Sequence, residues 1–230
     1  MAVLKVVTAL CDVNPMDFLE MRAAQCRGQQ WFYVLLNNHH APTPAGKELM
    51  ENLNLLDLDS DDAWQLLVAV RLSAQCTDAR VNLITPALFA ELPTPKAFAE
   101  APITKVEELI KTCGLYHTKA KDLVALGKVL TEKYDSKVPD TMEALTSLPG
   151  IGRKTANLIL GDVYNQPAVV TDTHFIRLCN RMGFVTTKEP RKVEDAMRKL
   201  LEPKKSSDFC HRAVLHGRAV CTARNPKCEQ

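Results

Sequence analysis

The residues best suited to do chemistry in this chain lie between Asp140 and His174. Lys154 follows Arg153 directly after a turn that reads Leu148-Pro149-Gly150-Ile151-Gly152. Beyond it Ala156, Ile159, Leu160 and Val163 recur at helical spacing, which puts the lysine in the first turn of a helix and off that apolar stripe. The neighbouring arginine and the positive end of the helix dipole both oppose a further positive charge there, and a lysine so placed can become a nucleophile. The plainer reading is a solvated charge, the commoner fate of a helical lysine. The two glycines leave backbone N–H groups unobstructed where four amides lack internal partners, so Gly150, Gly152 and Arg153 make a candidate seat for a phosphodiester oxygen. A simple αα-hairpin fits Gly-x-Gly as well. A nucleotide-binding P-loop does not, because Arg153 separates Gly152 from Lys154 and the glycine spacing is too short. Further on, Thr171-Asp172-Thr173-His174 opens another helix, with Asp172 either its N-cap or a carboxylate poised opposite a nucleophile. Phe175, Leu178, Cys179 and Met182 form the apolar stripe of that helix, while His174, Arg177 and Arg181 share a cationic face suited to phosphates.

The elements that must hold these groups are helices. Asp140, three residues ahead of Glu143, forms a capping-box pattern that starts a short helix through Met142 and Leu145. Trp64, Leu67, Val68 and Arg71 fit a buried helix, and Val106, Leu109 and Ile110 recur at the same interval. Breakers at Pro93, Pro95, Pro102, Gly114, Pro139, Pro149, Pro167, Gly183, Pro190 and Pro203 cut the chain into segments of helical length. Strand alternation is hard to find, so the pattern predicts an all-α protein. The first 55 or so residues are less periodic. They hold Trp31, Phe32, Tyr33 and the adjacent His39 and His40, which read as a loop, because neighbouring side chains diverge and so do not favour a shared metal.

Composition sets the frame. With 230 residues, 24% charged and 46% apolar, the chain is long enough to bury a core without staples, and collagen, long disorder and coiled coil are excluded. Its longest apolar runs, such as Leu66 to Val70, fall far short of a membrane span, and Met1 to Cys11 is too short and weakly flanked for a secretory signal, so a cytoplasmic protein is expected. The net charge of +2 hides a split. Through Asp62 there are four Lys plus Arg against nine Asp plus Glu, leaving 25 against 18 in the remainder. A basic body of this kind is the footprint of a nucleic-acid binder, although surface charge also simply keeps domains apart.

Several separated motifs agree in order and spacing with one family. Leu148-Pro-Gly-Ile-Gly-Arg-Lys-Thr-Ala-Asn157, Asp172-Thr-His174, Leu72-Ser-Ala-Gln75 with Thr77-Asp78, Gly114-Leu-Tyr116, and His216-Gly-Arg218 ahead of Cys221 together closely resemble endonuclease III, a bifunctional DNA glycosylase and AP lyase family of the helix-hairpin-helix superfamily. The resemblance runs from about Asp61 to Cys228. It implies a two-domain helical fold with the active site in an interdomain cleft. Residues 56–166 would form a six-helix barrel carrying the hairpin, residues 167–230 with an N-terminal helix a second domain, and residues 1–45 an unassigned extension. It further implies Lys154 as catalytic lysine and Asp172 as catalytic aspartate, acting in base-excision repair of oxidised pyrimidines in double-stranded DNA, with Gln75 and Leu115 filling the gap left by a flipped nucleotide. A monomer working at the nucleoid is expected. The adenine-specific mismatch glycosylases resemble the same scaffold but carry an early catalytic glutamate, where this chain reads Leu72-Ser-Ala-Gln75. The rival from another class is a helix-hairpin-helix protein that binds DNA without catalysis.

The C-terminus departs from the pattern. The family commonly ends in four cysteines that hold a [4Fe–4S] cluster. Cys221 and Cys228 match the first two, and the chain stops at Gln230, one residue before the third would fall. The expectation is of a piece of a longer protein, with the cluster unassembled in the chain as it stands, since two ligands do not hold one. Nothing in the spacing of Cys11 and Cys26 recommends them as substitutes. Cys76, Cys113, Cys179 and Cys210 read as core thiols.

Overall fold

The structure, a computed structural model, describes residues 63–227. The expectations placed on the N-terminal extension, on His39 and His40, on Cys11 and Cys26, on the N-terminal helix of the second domain and on Cys228 lie outside the described residues. Every regular element among the described residues is helical, and none of their helices is long and apolar enough to cross a membrane. The chain divides into two compact units, one reaching Asn165 and one continuing from Gln166.

The first unit contains α1 (Ala63–Ser73), α2 (Asp78–Glu91), α3 (Pro95–Glu100), α4 (Ile103–Ile110), α5 (Tyr116–Lys133), α6 (Met142–Thr146) and α7 (Arg153–Asp162). Among the described residues these are seven helical segments, of which α3 and α6 are short, with six and five residues. Threonine oxygens start three of them. Thr77 accepts the Arg80 amide, Thr94 the Ala97 amide and Thr141 the Ala144 amide, each three residues ahead, which satisfies a donor the helix cannot pair internally. The α6 cap therefore falls on Thr141 rather than on Asp140. The two residues are adjacent and both offer an oxygen, and the hydroxyl is the one in register with a free amide. Proline follows its usual rule at Pro95 and Pro190, both at helix starts, but Pro86 sits inside α2. It is exposed there, where water can serve the carbonyl its missing N–H leaves over.

The core of this unit takes Leu67, Val68, Val106, Ile110, Leu145 and Ile159 from the predicted stripes and adds residues of α1 and α5 outside them. Leu67, Val68, Leu72, Val106, Ile110, Leu123, Leu126, Leu130, Leu145 and Ile159 are buried, and Trp64 meets Phe98 edge to face with ring centroids 5.1 Å apart. Helices α3 and α5 cross closely because Gly127 has no side chain. A Cβ there would lie 2.5 Å from the Pro95 carbonyl oxygen and 2.9 Å from the Ala99 nitrogen.

The second unit contains α8 (Thr173–Arg181), α9 (Pro190–Leu200), a 3-10 turn (Pro203–Lys205) and α10 (Ser206–Ala219). Phe175, Leu178 and Cys179 of α8 are buried as their spacing predicts, and Phe175 packs edge to face on Phe209 at 6.0 Å. Gly217 permits the close crossing of α8 and α10, since a Cβ on it would lie 3.0 Å from His174 Cβ. The charge split resolves further along this division. Residues 63–165 hold 12 Lys plus Arg against 11 Asp plus Glu, whereas residues 166–227 hold 13 against 6. The basic excess thus belongs to the second unit, not to the one that carries the hairpin.

Candidate functional site

The hairpin forms between α6 and α7. Leu148 and Ile151 are buried and anchor the turn from both sides, with the Ile151 amide donating to the Leu148 carbonyl at 3.2 Å. Gly150 has φ +72°, a conformation glycine adopts without strain. It also rests on an ion pair, since a Cβ would meet Arg71 Nε at 2.7 Å and Asp122 Oδ2 at 3.0 Å. Arg71 donates through Nε to Asp122 Oδ2 at 3.1 Å, and its Nη2 bonds the same oxygen. That pair joins α1 to α5 directly beneath the turn. Gly152 contrasts with Gly150: it is extended and exposed, a Cβ on it would meet nothing within 4 Å, and no side chain caps α7 from it. The N-terminal amides of α7 therefore start from an open glycine, the arrangement an anion needs. Arg153 and Lys154 are the first two residues of that helix, and Lys154 is exposed, away from buried Ala156, Ile159 and Leu160.

Gln75 and Leu115, distant in sequence, come together in the same unit. Gln75 follows α1 with φ +54° and is exposed; Leu115 precedes α5 with φ +60° and leaves 58% of its surface in water. Gly114 lies against the Gln75 backbone, where a Cβ would fall 2.9 Å from the Gln75 carbonyl oxygen. An exposed leucine held in the left-handed region beside a polar amide is strained, and it presents apolar surface that the fold does not use itself. Lys119 was not expected here. It is fully buried, and its Nζ donates to the Leu72 carbonyl at 2.8 Å, so a cation closes the C-terminal end of α1 beneath both loops. Burial, the largest influence, lowers its pKa. The sequence does carry a signal for it: Lys119, Leu123, Leu126 and Leu130 fall on one helical stripe, and a lysine on an apolar stripe has a buried partner.

In the second unit Asp172 caps α8, accepting the Phe175 amide at 2.7 Å. The N-cap reading of that residue is met, and capping uses Oδ1 while the carboxylate stays half-buried, not sealed. Arg177 and Arg181 are placed otherwise than expected. Arg177 donates to the Gly217 carbonyl at 2.7 Å and to the Cys221 carbonyl at 2.8 Å; Arg181 donates to the Thr222 carbonyl at 2.8 Å and the Ala223 carbonyl at 3.0 Å. These bonds employ most of the donors with which the pair was expected to meet phosphate, and they tie the end of α10 and the following loop to α8. The reason is local: helix α10 ends in unpaired carbonyls, and guanidinium forks are the nearest donors.

Cys221 is buried, and its Sγ accepts a hydrogen bond from Arg181 Nη1 at 3.0 Å. No group of three or more His, Cys, Asp or Glu side chains that could hold a metal ion occurs among the described residues. Cys113, Cys179 and Cys210 are core thiols as expected, but Cys76 is only half-buried, at the loop beside Gln75.

Comparison with known proteins identifies the family. The family described as HhH-GPD superfamily base excision DNA repair protein matches residues 68–203. Endonuclease III of Rickettsia conorii is 42% identical over 166 residues, covering 72% of this chain and 79% of that protein. Endonuclease III of Escherichia coli K12 is 40% identical over 172 residues, covering 75% and 82%. Among solved structures, a trapped endonuclease III–DNA covalent intermediate, in an estranged-adenine complex, superposes with a TM-score of 0.72 at 34% identity, covering 88% of this chain and 92% of that one. The chain belongs to the endonuclease III family within the HhH-GPD superfamily of base excision DNA repair proteins.

Proposed function

We propose that this protein removes oxidised pyrimidines from duplex DNA and cleaves the resulting strand, with Lys154 as the nucleophile and Asp172 as its carboxylate partner. The observation that carries the reading is Lys154 itself: an exposed amine in the first turn of α7, beside an uncapped helix start that suits a phosphate. Phosphate bound at the hairpin brings the deoxyribose of the flipped nucleotide to the amine. Attack of Nζ on C1′ breaks the glycosidic bond and releases the base; ring opening gives an imine between Lys154 and C1′. Loss of a C2′ proton then expels the 3′ phosphate by β-elimination, and water hydrolyses the imine. Asp172 stabilises positive charge that develops at the sugar and assists the proton transfers. Gln75 and Leu115 occupy the space the nucleotide leaves in the duplex, the leucine as an apolar wedge.

In this reading residues 56–166 form the hairpin-bearing domain and residues 167–230, with an N-terminal helix, the other, and the protein acts as a monomer at the nucleoid. No step runs through an iron–sulfur cluster.

Borohydride trapping tests the proposal. Hydride adds to the imine carbon and leaves a stable amine that joins protein to DNA. Wild-type protein with duplex DNA containing an abasic site or an oxidised pyrimidine should yield this adduct, and Lys154→Ala should not. Binding without an adduct would make the protein a non-catalytic DNA binder, and an undiminished adduct from Lys154→Ala would assign the nucleophile elsewhere.

A further inference from the structure

Cys76 and Cys113 sit on the two loops that carry Gln75 and Leu115, and the proposed reaction uses neither. Cys76 closes the turn after α1, its amide donating to the Ser73 carbonyl at 3.0 Å; Cys113 closes the turn after α4, its amide donating to the Ile110 carbonyl at 2.8 Å. Their sulfurs are 3.8 Å apart, and both are free thiols. One is half-buried and the other buried, so a reagent reaches Cys76 first and finds Cys113 behind it. The backbones are held together as well, through Gly114 against the Gln75 carbonyl. Lys119, fixed from below on the Leu72 carbonyl, places a cation whose charge acts on both sulfurs.

We propose that Cys76 and Cys113 are an oxidisable dithiol, and that their disulfide ties the two loops into one rigid unit and weakens their engagement of DNA. A disulfide needs its sulfurs about 2.05 Å apart, so the 3.8 Å gap between them closes when it forms. With hydrogen peroxide as oxidant the chemistry balances in two steps. The Cys76 thiolate attacks a peroxide oxygen, the O–O bond breaks and hydroxide leaves, giving a sulfenic acid. The Cys113 sulfur then attacks that sulfur, the S–O bond breaks, and hydroxide departs with the Cys113 proton as water. Two thiols and one peroxide thus become one disulfide and two waters. Burial, the largest influence, pushes the Cys113 thiol up to about 11, which disfavours it as the group that attacks the peroxide. The effect on DNA rests on the wedge role proposed for Gln75 and Leu115; formation of the disulfide does not.

The test treats the full chain with hydrogen peroxide, blocks remaining thiols with an alkylating agent and maps the proteolytic peptides by mass. The expected result is a peptide pair linked through Cys76 and Cys113, lighter by two hydrogens and separated by dithiothreitol. The oxidised protein should bind a duplex containing a stable abasic-site analogue at least about tenfold more weakly than the reduced protein, a change of about 1.4 kcal/mol. Cys113→Ala should keep its affinity through the same treatment, and Cys76→Ser, at the half-buried position, gives the same comparison if the buried substitution disturbs folding. Sulfinic acid at Cys76 with no linked peptide would overturn the dithiol. A linked peptide with unchanged affinity would overturn the effect on DNA. In that case Gln75→Ala and Leu115→Ala, measured under reducing conditions, locate the fault: weakened binding by these variants leaves the wedge reading intact, and unchanged binding removes it.

Discussion

At Asp172 the carboxylate accepts the Phe175 amide at 2.7 Å, so its capping and its chemistry can be separated by substitution. Asparagine keeps an oxygen for the amide and loses the charge; alanine loses both. Asp172→Asn should therefore melt close to wild type while trapping and strand cleavage fall by about 10²- to 10⁴-fold, the range for a lost acid–base group. Asp172→Ala should lose a similar activity and about 1 kcal/mol of stability besides. Equal melting of the two variants would show that the cap contributes little. Cys113 allows a second residue-scale prediction. Burial pushes its thiol from 9.0 up to about 11, so between those values the folded protein keeps a proton that the unfolded chain has released. The stability this confers is whole below pH 9 and is lost as pH rises through the folded value, at most at about 1.4 kcal/mol per pH unit. Urea midpoints of wild type and Cys113→Ala should then draw together as pH rises from 9 to about 11, and a constant gap would contradict the shift.

At the scale of elements, the hairpin's two glycines should respond to alanine in opposite ways. Gly150 is left-handed and backed by Arg71 and Asp122, so Gly150→Ala forces both strain and a collision and should cost about 1–2 kcal/mol or more. Gly152 is extended with open space around it, and Gly152→Ala should stabilise the fold by about 0.4–1 kcal/mol while its methyl obstructs the approach of phosphate to the α7 amides. Stability and DNA affinity measured together on the two variants check this, and it fails if Gly152→Ala binds DNA as well as wild type. Gly127→Ala, facing backbone atoms of α3 at 2.5 and 2.9 Å, should destabilise by about 1–3 kcal/mol without touching the hairpin. The contrast also shows what the sequence made legible. Helices announced themselves through stripes such as Trp64, Leu67 and Val68, and the hairpin through Pro149, Gly150 and Gly152, because periodicity and turn chemistry are local. Which glycine bears packing and which faces solvent depends on Arg71 and Asp122, 51 residues apart, and no local pattern pairs them. The same holds for the sulfurs of Cys76 and Cys113, 37 residues apart. The cap on Thr141 instead of Asp140 is a smaller miss of another kind, a choice between two neighbouring oxygens that only the helix register decides.

For the molecule as a whole, the distribution of charge decides how binding to DNA should depend on salt. The hairpin's unit is nearly balanced, and the excess of 13 cations over 6 anions in residues 166–227 is what attracts a polyanion. Much of that unit's charge is already matched within one helical turn, as in Arg191 with Asp195, Lys192 with Glu189 and Arg212 with Asp208. Arg177 and Arg181 are turned inward to the carbonyls between Gly217 and Ala223. Beyond those carbonyls Arg224 and Lys227 are exposed, on the loop that the two arginines hold in place. Affinity for duplex DNA should accordingly fall steeply with salt, and replacing Arg224 and Lys227 with glutamine should flatten the plot of log K against log salt by about one unit for each phosphate that the variant no longer neutralises. Arg177→Met should act differently, lowering the melting temperature through the α10 carbonyls it leaves unpaired and changing the salt slope little. Should Arg177→Met instead flatten the slope at unchanged stability, its guanidinium meets phosphate when DNA is bound, and its bonds to the loop carbonyls are exchanged for bonds to DNA in the complex.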